Sequence, residues 1–239
     1  MRIGTVELGK KPRVIVALNE ANLKENLEKA RTLKIDLVEA RIDLLSEISK
    51  DSIKKFLNAV ADYGFYTVST LRPTWEGGKF KGSEEERLKL FETIVKHPAT
   101  GAVDIELRAE ILPKVKELVK KERKVLIISY HDFEKTPESS EIEEIFKKAV
   151  EKGADIVKLA FTGKTKEDVA KVCCTLSKLS HPKIFMVMGE EGKFTRVIGF
   201  SFGSLLTYTF FGEPVAPGQI EAEKLLKLIN EFYPSSGLR

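Results

Sequence analysis

Lys158 stands inside Asp155-Ile156-Val157-Lys158-Leu159-Ala160-Phe161, a short apolar run with the character of a buried strand. Burial disfavours an ammonium ion and lowers its pKa, which turns a lysine into an amine nucleophile. An edge strand with Lys158 facing water is the other reading of the same run. His131 ends a second run, Ser129-Tyr130-His131-Asp132, and Arg72 ends a third, Val68-Ser69-Thr70-Leu71-Arg72. A lysine amine beside an acid/base histidine is the equipment for Schiff-base chemistry at a carbonyl carbon. Arginines beside them can grip a carboxylate through paired hydrogen bonds.

Side chains alternate along a strand, so parity assigns faces. In one run Val38, Ala40 and Ile42 share a face against Glu39, Arg41 and Asp43; in another Val103, Ile105 and Leu107 oppose Asp104, Glu106 and Arg108. The apolar faces belong against helices, which turns the charged faces inward. Buried charges need partners. A purely structural network could pair Glu39 with Arg41 and Glu106 with Arg108, but it gives no reason for a Lys and a His at neighbouring strand ends.

The elements that position these residues are strands at Arg13–Leu18, Leu37–Asp43, Tyr66–Arg72, Ala102–Leu107, Lys124–His131, Asp155–Ala160 and Ile184–Met188, with an eighth inside Ser204–Phe211. Helices are expected at Ala21–Leu33, Lys50–Asp62, Glu84–Lys96, Ala109–Lys121, Ser140–Lys152, Lys166–Leu179 and Gln219–Phe232. Eight β/α units without a Pro/Gly-rich linker favour one α/β domain over residues 1–239, a single (β/α)8 TIM barrel; a doubly wound open sheet is the alternative. Pro73–Ser83 and Phe211–Gln219 are long connectors after strands, on the face where barrels build sites.

Composition narrows the class. The 239 residues are 42% hydrophobic and 32% charged, as in a globular protein, with an abundance of Lys and Glu that hints at heat adaptation. A net charge of +4, spread along the chain, suits an anionic small substrate and argues against nucleic acid. Cys173 and Cys174 are adjacent, so no disulfide framework is expected, and no membrane-length apolar run appears; a cytoplasmic protein follows. His97 and His181 each precede a proline and read as surface residues. Metal spacing and a dinucleotide fingerprint are both missing. Gly199-Phe200-Ser201-Phe202-Gly203-Ser204 reads as a small-residue connector, with a phosphate cradle as the rival reading. Trp75 either covers a ligand or anchors its loop.

Taken in order, Glu39-Ala40-Arg41-Ile42-Asp43, Arg72 through Glu76-Gly77-Gly78, Asp104-Ile105-Glu106-Leu107, Ser129-Tyr130-His131-Asp132-Phe133, Val157-Lys158-Leu159-Ala160, Met188-Gly189 with Arg196, and Ala216-Pro217-Gly218-Gln219 resemble the type I 3-dehydroquinate dehydratases through nearly the whole chain. That resemblance implies a β/α barrel, usually a homodimer, which dehydrates 3-dehydroquinate in the shikimate pathway without metal or organic cofactor. It also implies Lys158 as the imine former, His131 as general acid/base and Glu76 as the residue that orients His131. Glu39, Arg41 and Arg72 would hold ring hydroxyls and order the site, Arg196 would bind the carboxylate, and Gln219 would close over the substrate. One departure stands out: Val215 occupies a place where the family commonly has serine, which implies weaker closure of the last loop. A class I aldolase-like barrel using the same lysine, and a barrel that only binds a shikimate-like acid, are the rival readings.

Overall fold

The computed structural model describes residues 1–214 and 217–234. Its strands, in chain order, are β1 (Arg2–Ile3), β2 (Val6–Glu7), β3 (Val14–Leu18), β4 (Leu37–Arg41), β5 (Thr67–Thr70), β6 (Thr100–Glu106), β7 (Val125–Asp132), β8 (Ile156–Thr162), β9 (Lys183–Met188), β10 (Thr207–Phe210) and β11 (Ile220–Glu221). The helices are α1 (Leu23–Thr32), α2 (Lys50–Asp62), α3 (Glu84–Lys96), α4 (Leu112–Lys121), α5 (Ser139–Glu151), α6 (Lys166–Ser177), α7 (Thr195–Ile198) and α8 (Ala222–Phe232). Ser49, Ser83 and Thr165 start α2, α3 and α6 with reciprocal capping boxes, which satisfy amide donors at each helix start and fix where the preceding loop ends.

The nine-stranded sheet runs β11-β10-β3-β4-β5-β6-β7-β8-β9, and its neighbours pair in parallel. The last long strand therefore lies beside the first, which rules out a doubly wound open sheet. The Lys183–Ser204 bridge joins β9 to the segment entering β10 and closes a β/α barrel. Val38, Ala40, Ile42, Val103 and Ile105 pack outward in the cluster shared with the helices, as parity requires. Inside the barrel each strand from β3 to β9 contributes an apolar residue near its start: Ile15, Leu37, Val68, Ala102, Ile127, Ile156 and Ile184. The next inward positions along β4, β6, β7 and β8 are Glu39, Asp104, Ser129 and Lys158. The barrel is thus greasy at the N-terminal ends of its strands and charged at the C-terminal ends.

Two elements were not expected from sequence. The β1–β2 hairpin places Ile3 and Leu8 in the interior cluster and so plugs the apolar end; its two-residue strands are too short to show periodicity. The four-residue α7 carries Thr195 and Arg196. Among the expected elements, the strand at Leu37–Asp43 stops at Arg41 and turns into a 3-10 segment, Ile42–Leu44. The helix expected from Gln219 starts at Ala222, after β11. Among the described residues no helix is long and apolar enough to cross a membrane.

The histidine reading needs correcting. His97 is buried: its Nε2 faces Asn58 Oδ1 at 2.9 Å, and its Nδ1 accepts the Ala99 amide at 3.2 Å. His181 is half-buried and donates from Nε2 to the Ala154 carbonyl at 2.8 Å. Both imidazoles satisfy the backbone of a connector, a use that hydropathy does not reveal.

Candidate active site

A cavity of about 80 Å³ opens at the C-terminal ends of the strands, and Glu39, Arg41, Arg72, Glu76, His131, Lys158, Arg196 and Gln219 all line it. The eight residues singled out above therefore meet in one place, brought from seven different elements or loops.

Lys158, only 4% exposed, projects from the middle of β8 and donates from Nζ to Asp104 Oδ2 at 2.8 Å, with Glu39 Oε1 at 3.5 Å. The ring of Tyr208 lies under the ammonium, 4.3 Å from Nζ to its centroid, and the Tyr208 hydroxyl is buried without a hydrogen-bond partner among the described residues. Burial alone would depress the lysine pKa, but Asp104 and Glu39 outweigh it and hold the amine above its ordinary value. The expectation of a lowered pKa is overturned: Lys158 rests as an ammonium ion, because parity placed carboxylates on the same interior face.

Asp104 is the hub. Burial would raise its carboxyl, but Arg72 and Lys158 hold it well below the usual carboxylate range. Its Oδ1 accepts Arg72 Nη2 at 2.8 Å and Ser129 Oγ at 2.6 Å. Arg72 also donates from Nη1 to Glu106 Oε1 at 2.6 Å and to Ser129 Oγ at 2.8 Å, and Arg87 of α3 reaches Glu106 Oε2 through the strand layer. An interior salt-bridge network does exist, but with other partners than those expected. Glu39 takes Thr70 Oγ1 at 3.0 Å and faces Lys158, Arg41 forks onto Asp43 at 3.0 and 2.8 Å, and Arg108 leaves Glu106 for Glu76.

His131 sits near the end of β7 and is pinned by Glu76, whose Oε1 accepts its backbone amide at 3.1 Å and faces its Nδ1 at 3.0 Å. Glu76 Oε2 accepts Arg108 Nη2 at 2.9 Å. With donors on both oxygens Glu76 is a carboxylate, so His131 carries its proton on Nδ1 and offers Nε2 to the cavity. Burial, with Arg72 and Lys158 beside it, pushes the imidazole pKa well down and keeps it neutral. Glu76 is held by a tight turn that only glycines allow: a Cβ on Gly78 would lie 2.1 Å from the Arg72 carbonyl oxygen, and Gly77 has φ +78° with Phe133 against it. Phe133 in turn stacks on His131, 6.0 Å between ring centroids.

Arg196, 2% exposed, is held differently. It donates from Nε to the Gly218 carbonyl at 2.7 Å and from Nη2 to the Pro217 carbonyl at 3.1 Å, and it forms no ion pair among the described residues. Burial without a counter-charge draws its pKa down to about 10. Gly218 (φ +70°) presses on the Gly189 backbone, which fixes the last loop against the end of β9 and sets Gln219, also buried, in the cavity wall. Val215 lies outside the described residues. Sequence reasoning gave no roles to Asp104, Tyr208 or Arg87, and offered Arg108 only as a structural partner of Glu106. Parity signalled the first; Arg87 was hidden in Ser83-Glu84-Glu85-Glu86-Arg87, which reads as a solvated face.

The family model for type I 3-dehydroquinase matches residues 14–235. The 3-dehydroquinate dehydratase of Methanocaldococcus jannaschii is 42% identical over 199 residues, covering 81% of this chain and 86% of that protein. That of Aquifex aeolicus is 37% identical over 221 residues, covering 92% and 98%. The crystal structure of the type I enzyme from Clostridium difficile, with covalently modified comenic acid, superimposes with a TM-score of 0.91 at 26% identity and covers 98% of both chains.

Proposed function

Because the chain belongs to the type I 3-dehydroquinase family, we propose that it is a hydro-lyase of the shikimate pathway that dehydrates 3-dehydroquinate to 3-dehydroshikimate through an imine on Lys158. The observation that carries this reading is a buried lysine and a neutral histidine on one cavity wall, facing a buried arginine that lacks a counter-charge.

Arg196 takes the substrate carboxylate, and Glu39, Arg41 and Gln219 meet the ring hydroxyls. Arg72 has Nη1 and Nη2 committed to Asp104, Glu106 and Ser129, so its part is to order the floor of the site. Lys158 must first give up a proton, and the neutral Nε2 of His131 is the acceptor. The amine then adds to the ketone carbon, and the carbonyl oxygen leaves as water after protonation. The resulting iminium cation acidifies the adjacent C–H, because it takes up the electron pair as an enamine. His131 removes that proton and returns it to the hydroxyl on the next carbon, which departs as water. Hydrolysis of the conjugated imine releases product and restores Lys158. One base serving both proton steps requires H and OH to leave from the same side.

The aldolase-like alternative draws no support from the glycine-rich connector. Gly203 sits beside Lys183 at the N-terminal ends of the strands, whereas barrel phosphate sites lie at the C-terminal ends. Incubation with 3-dehydroquinate should generate the absorbance of a conjugated enone, and stereospecifically deuterated substrate should show syn loss. Anti loss would contradict the single-base scheme, and turnover of sugar phosphates alone would contradict the assignment.

A further inference from the structure

Arg108 lies just beyond β6 with its side chain 49% exposed, in the position of an ordinary surface arginine. Its contacts are not ordinary. The guanidinium is held over the ring of Tyr130, 4.9 Å to the centroid, and that of Trp75 at 5.7 Å. From that grip it donates to Glu76 Oε2 through Nη2 at 2.9 Å and Nε at 3.3 Å. The two oxygens of Glu76 are thereby divided: one belongs to Arg108, the other to the amide and Nδ1 of His131.

Exposed ion pairs usually contribute little, because water screens both ions. Here one ion is a fully buried carboxylate, so the partner offsets a desolvation cost as well as making a contact. The other charges facing Glu76 are Arg72, Asp104 and His131. Arg72 Nη1 stands 3.9 Å from Glu76 Oε1, but its charge is shared with Asp104 and Glu106, each within 2.8 Å. Asp104 opposes ionisation, and His131 is neutral at rest. Burial pushes the Glu76 carboxyl up, and Arg72 and Arg108 pull against it. Among the described residues Arg108 pairs with no other carboxylate, so it is the one cation committed to Glu76.

We propose that Arg108 is a positioning residue: clamped between Trp75 and Tyr130, it keeps Glu76 ionised and aimed, and so fixes His131 with Nδ1 protonated and Nε2 free to act as base. This rests on the reading of His131 as the acid/base of the dehydration. It also assigns Trp75 an anchoring part. Arginine suits the place better than lysine, because a planar fork stacks between two rings while donating from one edge.

The test uses the full chain with Arg108→Met and Arg108→Lys. The Glu76 carboxyl is followed by 13C NMR in glutamate-labelled free protein and assigned by its loss in Glu76→Gln. Turnover of 3-dehydroquinate is followed as a function of pH. Arg108→Met should move the Glu76 titration up by about one pH unit and carry the acid limb of kcat with it, a roughly tenfold loss on the acid side that shrinks as pH rises. Arg108→Lys should fall between the two. A Glu76 titration unmoved by Arg108→Met, or a loss of kcat equal at every pH, would overturn the proposal. The carboxyl titration needs no turnover, so an inactive parent protein would contradict the dehydratase reading while the clamp was still decided by NMR.

Discussion

On the β6–β8 side of the cavity every charged side chain is matched: Lys158 against Asp104, Arg72 against Asp104 and Glu106, Glu106 against Arg87. On the side of α7 and the last loop, Arg196 is as deeply buried but among the described residues meets only uncharged groups, the Gly218 and Pro217 carbonyl oxygens and the Met186 sulfur, which hold its orientation and cancel none of its charge. The first wall is complete without substrate; it positions Lys158 and resists change. The second wall gains its counter-ion from whatever binds. On the proposed reading the site is rigid where bonds would be remade and anion-seeking where the substrate would be held, with both properties set by how many carboxylates face each cation.

That contrast can be broken from either side. The largest effect belongs to the proposed nucleophile. Lys158→Ala should lower kcat by about 10⁴–10⁶-fold, as loss of a covalent catalyst does, measured by product absorbance at saturating substrate. Asp104→Asn attacks the matched wall. It strands Lys158 and Arg72 without their shared counter-ion and should cost about 3–5 kcal/mol in denaturant unfolding at neutral pH. The sign with pH is determined. A carboxyl depressed in the folded state contributes stability above its unfolded pKa, about 3.9, and loses it as pH falls towards the folded value. The gap between parent and Asp104→Asn should thus narrow below about pH 4.

Arg196→Met attacks the unmatched wall. No ion pair is broken, so unfolding should change less than for Asp104→Asn. Binding of a carboxylate-bearing product analogue should weaken by about 10–100-fold, as expected for a lost hydrogen bond to a charged group, with calorimetric titration as the check. A smaller effect sharpens the comparison. Tyr208→Phe removes a buried hydroxyl that has no hydrogen-bond partner among the described residues and should stabilise the free protein by about 1 kcal/mol, a rise in melting temperature of about 2–4 °C for a chain of this length.

Much of this arrangement was legible before any coordinates. Strand parity placed Glu39 and Asp104 inside because a period of two leaves no choice once the opposite face is apolar, whereas Lys158 stands in a run apolar on both faces, where parity alone left an edge strand facing water open. The partners were not legible. Neighbours in sequence, Glu39 with Arg41, gave way to partners across the barrel, Glu39 with Lys158, because strand stagger and barrel closure decide which interior side chains share a level. The sign of the Lys158 shift failed for the same reason: burial is readable from one strand, whereas the opposing carboxylates come from two others. Arg87 escaped because it lies outside the strands, on a charged helix, and the partner of Arg108 escaped because Arg108 lies beyond the end of β6 and turns to Glu76 instead of Glu106. The β1–β2 hairpin escaped because two residues carry no period.

The most direct test of the account is reduction of the protein with borohydride in the presence of 3-dehydroquinate, followed by mass spectrometry and peptide mapping. The account predicts a stable adduct on the peptide containing Lys158, with dehydroshikimate formed in unreduced controls. Undiminished product formation without an adduct, or an adduct confined to another lysine, would contradict it.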